Sequence, residues 1–143
     1  MDLFGTLGIS SSALTAQRTV MNVIATNLAN VNTTRTPGGG PYRRMIALIE
    51  SKPAQDFGSV LNRQVEALNG VRVGEIVEEV TPFRRVYNPD HPDADESGYV
   101  SFPNVNVITE TTDLMTASRS YEANAVAISV TKKMALKALQ IGQ

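Results

Sequence analysis

The feature that most constrains this fold is the run from Thr109 to Gln143, which contains no proline and only one glycine, Gly142. Acidic residues stand near its start and lysines near its end, as the helix dipole favours. The pattern predicts one helix of about 30 residues and about 45 Å in length. Such a helix would span a compact domain of this size or project beyond it. Apolar or small residues recur at helical spacing at Leu114, Ala117, Tyr121, Ala125, Ile128, Ala135 and Leu139.

A second apolar stripe lies near the N-terminus, where members recur every seven residues. Such a repeat is typical of coiled coils, although Ser, Thr, Asn and Ala stand here at the flanking positions that usually carry charge. Gly5 and Gly8 weaken the first turns, so the helix is predicted from about Ile9 to Asn30. Because it carries so little charge, we expect it to be buried on several sides. The stripe consists of Leu7, Leu14, Met21 and Leu28, with Ile24 beside it.

The middle of the chain is rich in turn signals and short β-type segments. The sequence TTRTPGGGP at 33–41 predicts a flexible loop, and the polar run 88–98 predicts another. The fold class is therefore mainly α with a small β-rich insert, divided into 1–32, 33–108 and 109–143. Strands are predicted over 42–50, over 60–68 and 71–80 around the hairpin signal Asn69-Gly70, over 83–87 and over 99–102.

Composition excludes several classes of function. The chain has 143 residues, a net charge of −1 and no cysteine, so disulfides, thiolate chemistry and cysteine-based zinc sites are excluded. The charge balance gives no indication of nucleic-acid or membrane-surface binding. No apolar run reaches the length of a membrane span, and a cleaved signal peptide is not expected because the N-terminus lacks a basic region.

The acidic loop around His91 is the one cluster of metal-type ligands. Asp93 and Asp95 match the start of an EF-hand loop, but the twelfth position is Asn104 instead of glutamate. A polar turn is therefore favoured over a metal site. His91 is the sole histidine, and the sequence contains no Gly-x-Ser-x-Gly motif that could supply the serine of a catalytic triad. A triad is therefore not expected.

Two further motifs, a glycine run and two arginine pairs, are explained without a binding site. Gly38 to Gly40 are followed by Pro41 instead of the lysine of a phosphate-binding loop. The pairs Arg43-Arg44 and Arg84-Arg85 could face nucleic acid or an acidic partner, but outward charges on edge strands are the favoured interpretation. The sequence therefore predicts no catalytic residue, no cofactor and no metal.

Two stretches, one at each end, resemble a known family. Ser12 to Gln17 with Asn22 to Thr33 (SALTAQ and NVIATNLANVNT) is similar to the N-terminal signature of bacterial flagellar rod and hook proteins. Ser118 to Asn124 (SRSYEAN) is similar to that family's C-terminal signature. Elements at 41–44, 88–94 and 98–105 further resemble the C-type subunits of the proximal rod. Thr26 departs from the family pattern, which usually has asparagine there, and 52–70 matches nothing in it.

The resemblance implies a fold and a function. The terminal helices would pair as a coiled-coil-like layer, and subunits would stack helically into a torque-transmitting rod in the periplasm. Partners would be copies of the chain, other rod proteins and the flagellar type III export apparatus, without nucleic acid or direct membrane insertion. Distal-rod or hook subunits, a small metal-binding protein and a free-standing coiled-coil adaptor are the alternatives.

Subunit contacts are expected along the helical stripes. Asn27, Asn30 and Asn124 are predicted to make buried hydrogen bonds between helices or subunits, because an unpaired buried amide is costly. Tyr121 and Leu28 are assigned to apolar packing between the terminal helices. In the isolated chain we expect both ends to be disordered until assembly. The full set of predicted interface residues is Leu7, Leu14, Met21, Ile24, Asn27, Leu28, Asn30, Leu114, Ala117, Tyr121, Asn124, Ala125, Ile128 and Leu139.

Overall fold

The computed structural model describes residues 3–52 and 70–141. In it, two long helices precede and follow a β-rich insert. The first helix, α1, spans Leu3–Ala29 and the second, α2, spans Val107–Ile141. Both helices predicted from the apolar spacing are therefore confirmed. The predicted start of α1 at Ile9 is wrong, because the helix runs through Gly5 and Gly8. The local cost of helical glycine, about 1 kcal/mol each, is not enough to end it there.

The two helices pack against each other in antiparallel orientation. Asn27, near the end of α1, lies beside Glu110 in the first turn of α2. Farther along, Gln17 of α1 and Ser120 of α2 line the same cleft. Ala16 and Ala117 are buried in these helices, where small side chains allow the two backbones to approach closely.

The first pair of strands lies against α1. Strand β1 (Met45–Lys52) pairs antiparallel with β2 (Gly70–Glu78), and the register shifts between Leu48 and Ile49. Gly74 is the residue of β2 left without a partner at this bulge. Strand β1 begins three residues later than predicted, and the strand predicted at 60–68 lies outside the described residues.

The second pair of strands forms a separate two-stranded sheet. Strand β3 (Arg84–Tyr87) pairs antiparallel with β4 (Tyr99–Phe102), and 88–98 forms the loop between them. Gly98 ends this loop with a φ of 78°, a conformation that other residues rarely adopt. The predicted strands at 83–87 and 99–102 are confirmed.

The buried core is small and lies mainly where α1 meets α2 and the strands. Its fully enclosed members are unusual because two of them are polar, Asn27 and Glu110, beside the apolar Val100. Within 3–52 and 70–141, neither helix is long and apolar enough to cross a bilayer. The two enclosed polar residues, Asn27 and Glu110, are hydrogen-bonded to each other and form the centre of a polar cluster in this core.

Candidate assembly site

Asn27 is the centre of the buried polar cluster. Its side chain is 1% exposed. The Oδ1 atom accepts hydrogen bonds from the Met45 N–H and the Tyr42 hydroxyl, both at 2.9 Å. The Nδ2 group donates to the Met45 carbonyl at 2.9 Å and to Glu110 Oε2 at 3.0 Å. One amide thus ties the end of α1 to the start of β1 and to the first turn of α2.

Arg44 and Glu110 form the charged half of the same cluster. Glu110 is 0% exposed, and its Oε1 accepts from Arg44 Nε at 2.5 Å. Arg44 also donates to Glu79 Oε2 at 3.1 Å, and its other terminal nitrogen lies 3.6 Å from Asp113 Oδ2. A buried carboxylate is tolerated only when it is paired and hydrogen-bonded, and Asn27 and Arg44 supply both conditions.

Asn104 links the cluster to the segment that follows β2. Its Oδ1 accepts from the Arg44 backbone N–H at 2.8 Å, and its Nδ2 donates to the Glu79 carbonyl at 3.1 Å and to Thr81 at 2.6 Å. In the described residues, no buried side-chain nitrogen or oxygen lacks a partner. The cluster is fully satisfied, which is the condition under which buried polar groups specify a single arrangement.

The cluster shifts the ionisation of two of its members. Burial, together with the charges of Glu110 and Glu78, raises the pKa of the Tyr42 hydroxyl, so the neutral donor form is favoured. Burial lowers the pKa of the Arg44 guanidinium, but the hydrogen bonds and charges of Glu110 and Glu79 raise it overall. Both groups therefore stay in the forms that donate to their partners.

The residues predicted as subunit contacts fall into three degrees of exposure. The buried ones lie in the core, and the exposed ones all lie in α2, where Tyr121 and Leu139 stand at the same helical spacing as the covered Leu114 and Ile128. Ile24, Asn27 and Ala117 are buried; Leu7, Leu14, Met21, Leu28, Asn30, Leu114, Asn124 and Ile128 are half-buried; and Tyr121, Ala125 and Leu139 are exposed.

The three asparagines predicted to act alike differ within the chain. Only Asn27 bonds across to another element. Asn30 donates to the Thr26 carbonyl of its own helix at 2.9 Å and accepts from the Thr33 hydroxyl, so it closes the end of α1. Asn124 donates to the Ser120 carbonyl one turn earlier at 2.8 Å. Contacts of Asn30 and Asn124 with a neighbouring subunit stay a prediction.

Sequence reasoning missed the residues that complete the cluster. The interpretation of Arg44 as an outward charge on an edge strand is wrong, because its guanidinium pairs with the buried carboxylate of Glu110. Arg43 stacks over the Phe83 ring with its guanidinium carbon 4.4 Å from the centroid. Arg84 and Arg85 are exposed on β3, as predicted. The signal that could have found Glu110 is an acid at a helix start that also falls on the buried stripe.

The acidic loop forms a turn, as predicted. Asp95 Oδ1 accepts from the backbone N–H groups of Ser97 and Tyr99, both at 2.9 Å, and its other oxygen meets Arg85 at 2.5 Å. These contacts, led by the Tyr99 bond, lower the pKa of the Asp95 carboxyl. Asp93 points elsewhere, to the Thr34 hydroxyl at 2.8 Å. In the described residues, these carboxylates do not converge on one point.

A solvent-open cleft of 270 Å³ lies beside the cluster. Its walls come from α1, β1 and α2, and it is lined in part by the apolar side chains of Val20, Ile24 and Ile46. Asp113 and Thr116 stand at its α2 side. Arg44 also lines the cleft and lies 3.6 Å from Asp113, so the cleft combines apolar walls with a paired charge.

The chain is similar to known proteins over its whole length. A model described as flagella basal body rod protein matches residues 7–35, and one described as flagellar basal body rod FlgEFG protein C-terminal matches 96–141. The flagellar basal-body rod protein FlgC of Bacillus subtilis is 46% identical over 100% of both chains. That of Borreliella burgdorferi is 40% identical, over 100% of this chain and 99% of the relative. That of Salmonella typhimurium is 39% identical over 100% of both.

Proposed function

The chain belongs to the family of bacterial flagellar basal-body rod proteins, and on that premise we propose that it is a structural subunit of the rod. The observation that carries the proposal is agreement over the full length with relatives that bear this name. The work of such a subunit is mechanical, so the chain is not an enzyme. Its partners are copies of itself and other rod proteins.

The finer position is the proximal rod, in the periplasmic part of the basal body, where the subunit forms part of the shaft that transmits torque. The chain reaches this place through the flagellar type III export apparatus. The export route is an expectation from the resemblance of the two terminal signatures, and the proximal position is one from the elements at 41–44, 88–94 and 98–105. Segments 1–32 and 109–143 act as assembly segments, and 33–108 faces outward.

The helices form a coiled-coil-like layer in the assembled rod. Support comes from seven covered positions of α2 that fit an alternation of four and three residues, although Ser118 and Ser120 are half-buried outside it. In this spacing each covered side chain can face a second helix. Positions that fit the alternation and are buried or half-buried are Glu110, Leu114, Ala117, Asn124, Ile128, Thr131 and Ala135.

The outer face of α2 supports polymerisation. Large apolar side chains stay exposed there, including Met115 at 56% and Val126 at 61%. Contiguous apolar exposure on a helix that already has one partner indicates further partners. Of the predicted contact residues, Ala125 and Leu139 are exposed, and we assign them to contacts between subunits. Tyr121, which is 36% exposed and stands on the stripe of the covered positions, stays assigned to packing between the terminal helices. The buried Ile24, Asn27 and Ala117 act within the subunit.

Deletion and complementation test this function. Cells of the source bacterium that lack this chain should not swim, and their detergent-extracted basal bodies should lack a complete rod in electron micrographs. Re-expression of the chain should restore both. The matched control is the chain with Glu96→Gln, an exposed loop change outside both helices, which should restore swimming equally. Complete rods in the deletion strain would contradict the proposal.

A further inference from the structure

Strand β3 has an open edge. Tyr99, its neighbour in β4, bonds through both its N–H and its carbonyl to Asp95 at 2.9 Å, so it exchanges no backbone hydrogen bonds with Tyr87 opposite. Bonded and non-bonded pairs alternate along an antiparallel ladder, and the backbone groups of the non-bonded pairs point outward. The N–H and carbonyl groups of Arg85 and Tyr87 therefore point away from β4, on a strand whose four residues are all exposed.

A side chain closes part of the edge in each of the other strands. In β1, Asn27 bonds to both the N–H and the carbonyl of Met45. In β2, the Ser12 hydroxyl accepts from the Val71 N–H at 3.1 Å. In β4, Asp95 makes the contact just described. Within 3–52 and 70–141, no hydrogen bond from outside the ladder reaches the backbone of β3.

The usual protections of a free edge are also missing from β3. Proteins shield such edges with charge, proline or a bulge. Strand β2 has two of these, the bulge at Gly74 and the exposed carboxylates of Glu75 and Glu78. Strand β3 has no proline and no bulge, and the charge of Arg85 is neutralised by Asp95 at 2.5 Å. Its edge is therefore available for pairing.

The side chains of β3 indicate what kind of strand fits. Tyr87 is 64% exposed, and its ring packs edge to face against Tyr99 at 5.3 Å. Protein interfaces favour tyrosine and arginine at their centres. Val86 is 37% exposed and stands opposite the buried Val100. Arg84 lines a cleft with no other charged residue, and it forms no ion pair within the described residues.

We propose that an extended segment of another protein pairs with β3 as an added antiparallel strand. Arg85 and Tyr87 exchange four hydrogen bonds with its backbone, the recognition mode that an open sheet edge offers to a peptide. The segment carries an aliphatic residue opposite Val86 and a carboxylate opposite Arg84, because such cross-strand neighbours stabilise a sheet. The β3 of a second copy has no acidic residue to offer, which favours a different protein. The contact lies in the β-rich insert and goes beyond the proposed function, which rests on the helices.

A synthetic peptide tests the edge in the full-length chain. The probe is the capped hexapeptide Thr-Ile-Val-Thr-Glu-Thr, because antiparallel pairing sets its isoleucine opposite Tyr87 and its glutamate opposite Arg84. Nuclear magnetic resonance of the isotope-labelled chain follows the titration up to about 1 mM peptide, since a contact of this size is weak. The backbone amides of Arg85 and Tyr87 should shift most, and their exchange with solvent should slow.

Two N-methylated forms of the peptide test the backbone pairing itself. A methyl group on the amide of the threonine opposite Arg85 removes a donor aimed at β3, and should weaken binding by about tenfold. A methyl group on the valine amide points away from β3 and should change the affinity by less than about twofold. On the protein side, Arg85→Pro removes an outward N–H and keeps the ladder to β4, so it should bind more weakly than its matched control Arg85→Ala.

A charge exchange tests the specificity. Replacing the glutamate of the peptide by lysine should weaken binding by about fivefold, and Arg84→Glu should reverse this preference. The inference is overturned by unshifted Arg85 and Tyr87 amides at the highest peptide concentration, by equal losses from the two methyl groups, or by a preference for glutamate that survives Arg84→Glu. Shifts of the same amides with protein concentration alone would show that a second copy fills the edge, and would overturn it equally.

Discussion

Replacing Asn27 by leucine tests the role of the polar cluster most sharply. Leucine has a similar volume, so the change removes four hydrogen bonds and leaves little empty space. Glu110 keeps its hydrogen bond from Arg44. The Tyr42 hydroxyl and the backbone N–H and carbonyl of Met45 lose the partner that Asn27 provided. Each buried group left unpaired costs about 1–3 kcal/mol, and the gain from burying leucine offsets part of this.

The expected loss in free energy of unfolding is about 3–5 kcal/mol for Asn27→Leu. That is a large share of the 5–15 kcal/mol typical of a domain, and corresponds to a fall in Tm of about 10 °C. Urea unfolding of the purified chain, followed by circular dichroism at 222 nm, measures it. A helical signal before urea is added would show that the cluster orders both ends within one chain, in place of the disorder expected of lone helices. The matched control is Asn124→Leu, because that amide bonds only to its own helix and should change stability by about 0.5 kcal/mol or less. A difference between the two variants below about 1 kcal/mol would refute the reasoning.

Three further predictions follow from the same contacts. Arg44→Met should destabilise the chain by about 3 kcal/mol because it leaves Glu110 buried without a counter-charge, whereas Arg84→Met should stay within about 0.5 kcal/mol; chemical denaturation checks both. Gly98→Ala should cost about 1–2 kcal/mol, since φ is 78° and the new Cβ would lie 2.9 Å from the Tyr87 ring; thermal unfolding measures it. The raised pKa of Tyr42 predicts stability that is fully present below pH 10 and lost as pH rises through the folded-state value, so Tyr42→Phe should show a flatter loss in alkaline unfolding curves.

The parts of the fold that depend on local pattern could be predicted from the sequence. Both helices cover many turns, so their apolar spacing outweighs individual weak residues. The start of α1 could not be placed, because Gly5 and Gly8 argue locally against helix while packing against α2 and β1 decides the outcome. The β3 and β4 segments are short but bounded by Pro, Asn and Gly, whose turn preferences mark the ends of strands.

The polar cluster could be predicted only in one of its members. The prediction that Asn27 bonds between helices or subunits rests on its place in an uncharged helix rich in Ala, Ser, Thr and Asn. Its partner Glu110 lies 83 residues away, and Arg44 lies 66 residues from Glu110. Glu110 has a local signal, its place on the buried stripe of α2, but nothing local distinguishes Arg44 from a charge on the surface. Contacts between distant segments depend on how the helices and strands are arranged in space, and a single sequence carries no direct record of that.

A cryo-electron microscopy map of detergent-extracted basal bodies from the source bacterium tests the central claim most directly. The account predicts subunits in the rod that fit this chain, with α1 and α2 in an inner layer and the β1–β2 and β3–β4 pairs outside. A rod at side-chain resolution with no density that fits this sequence would contradict the account.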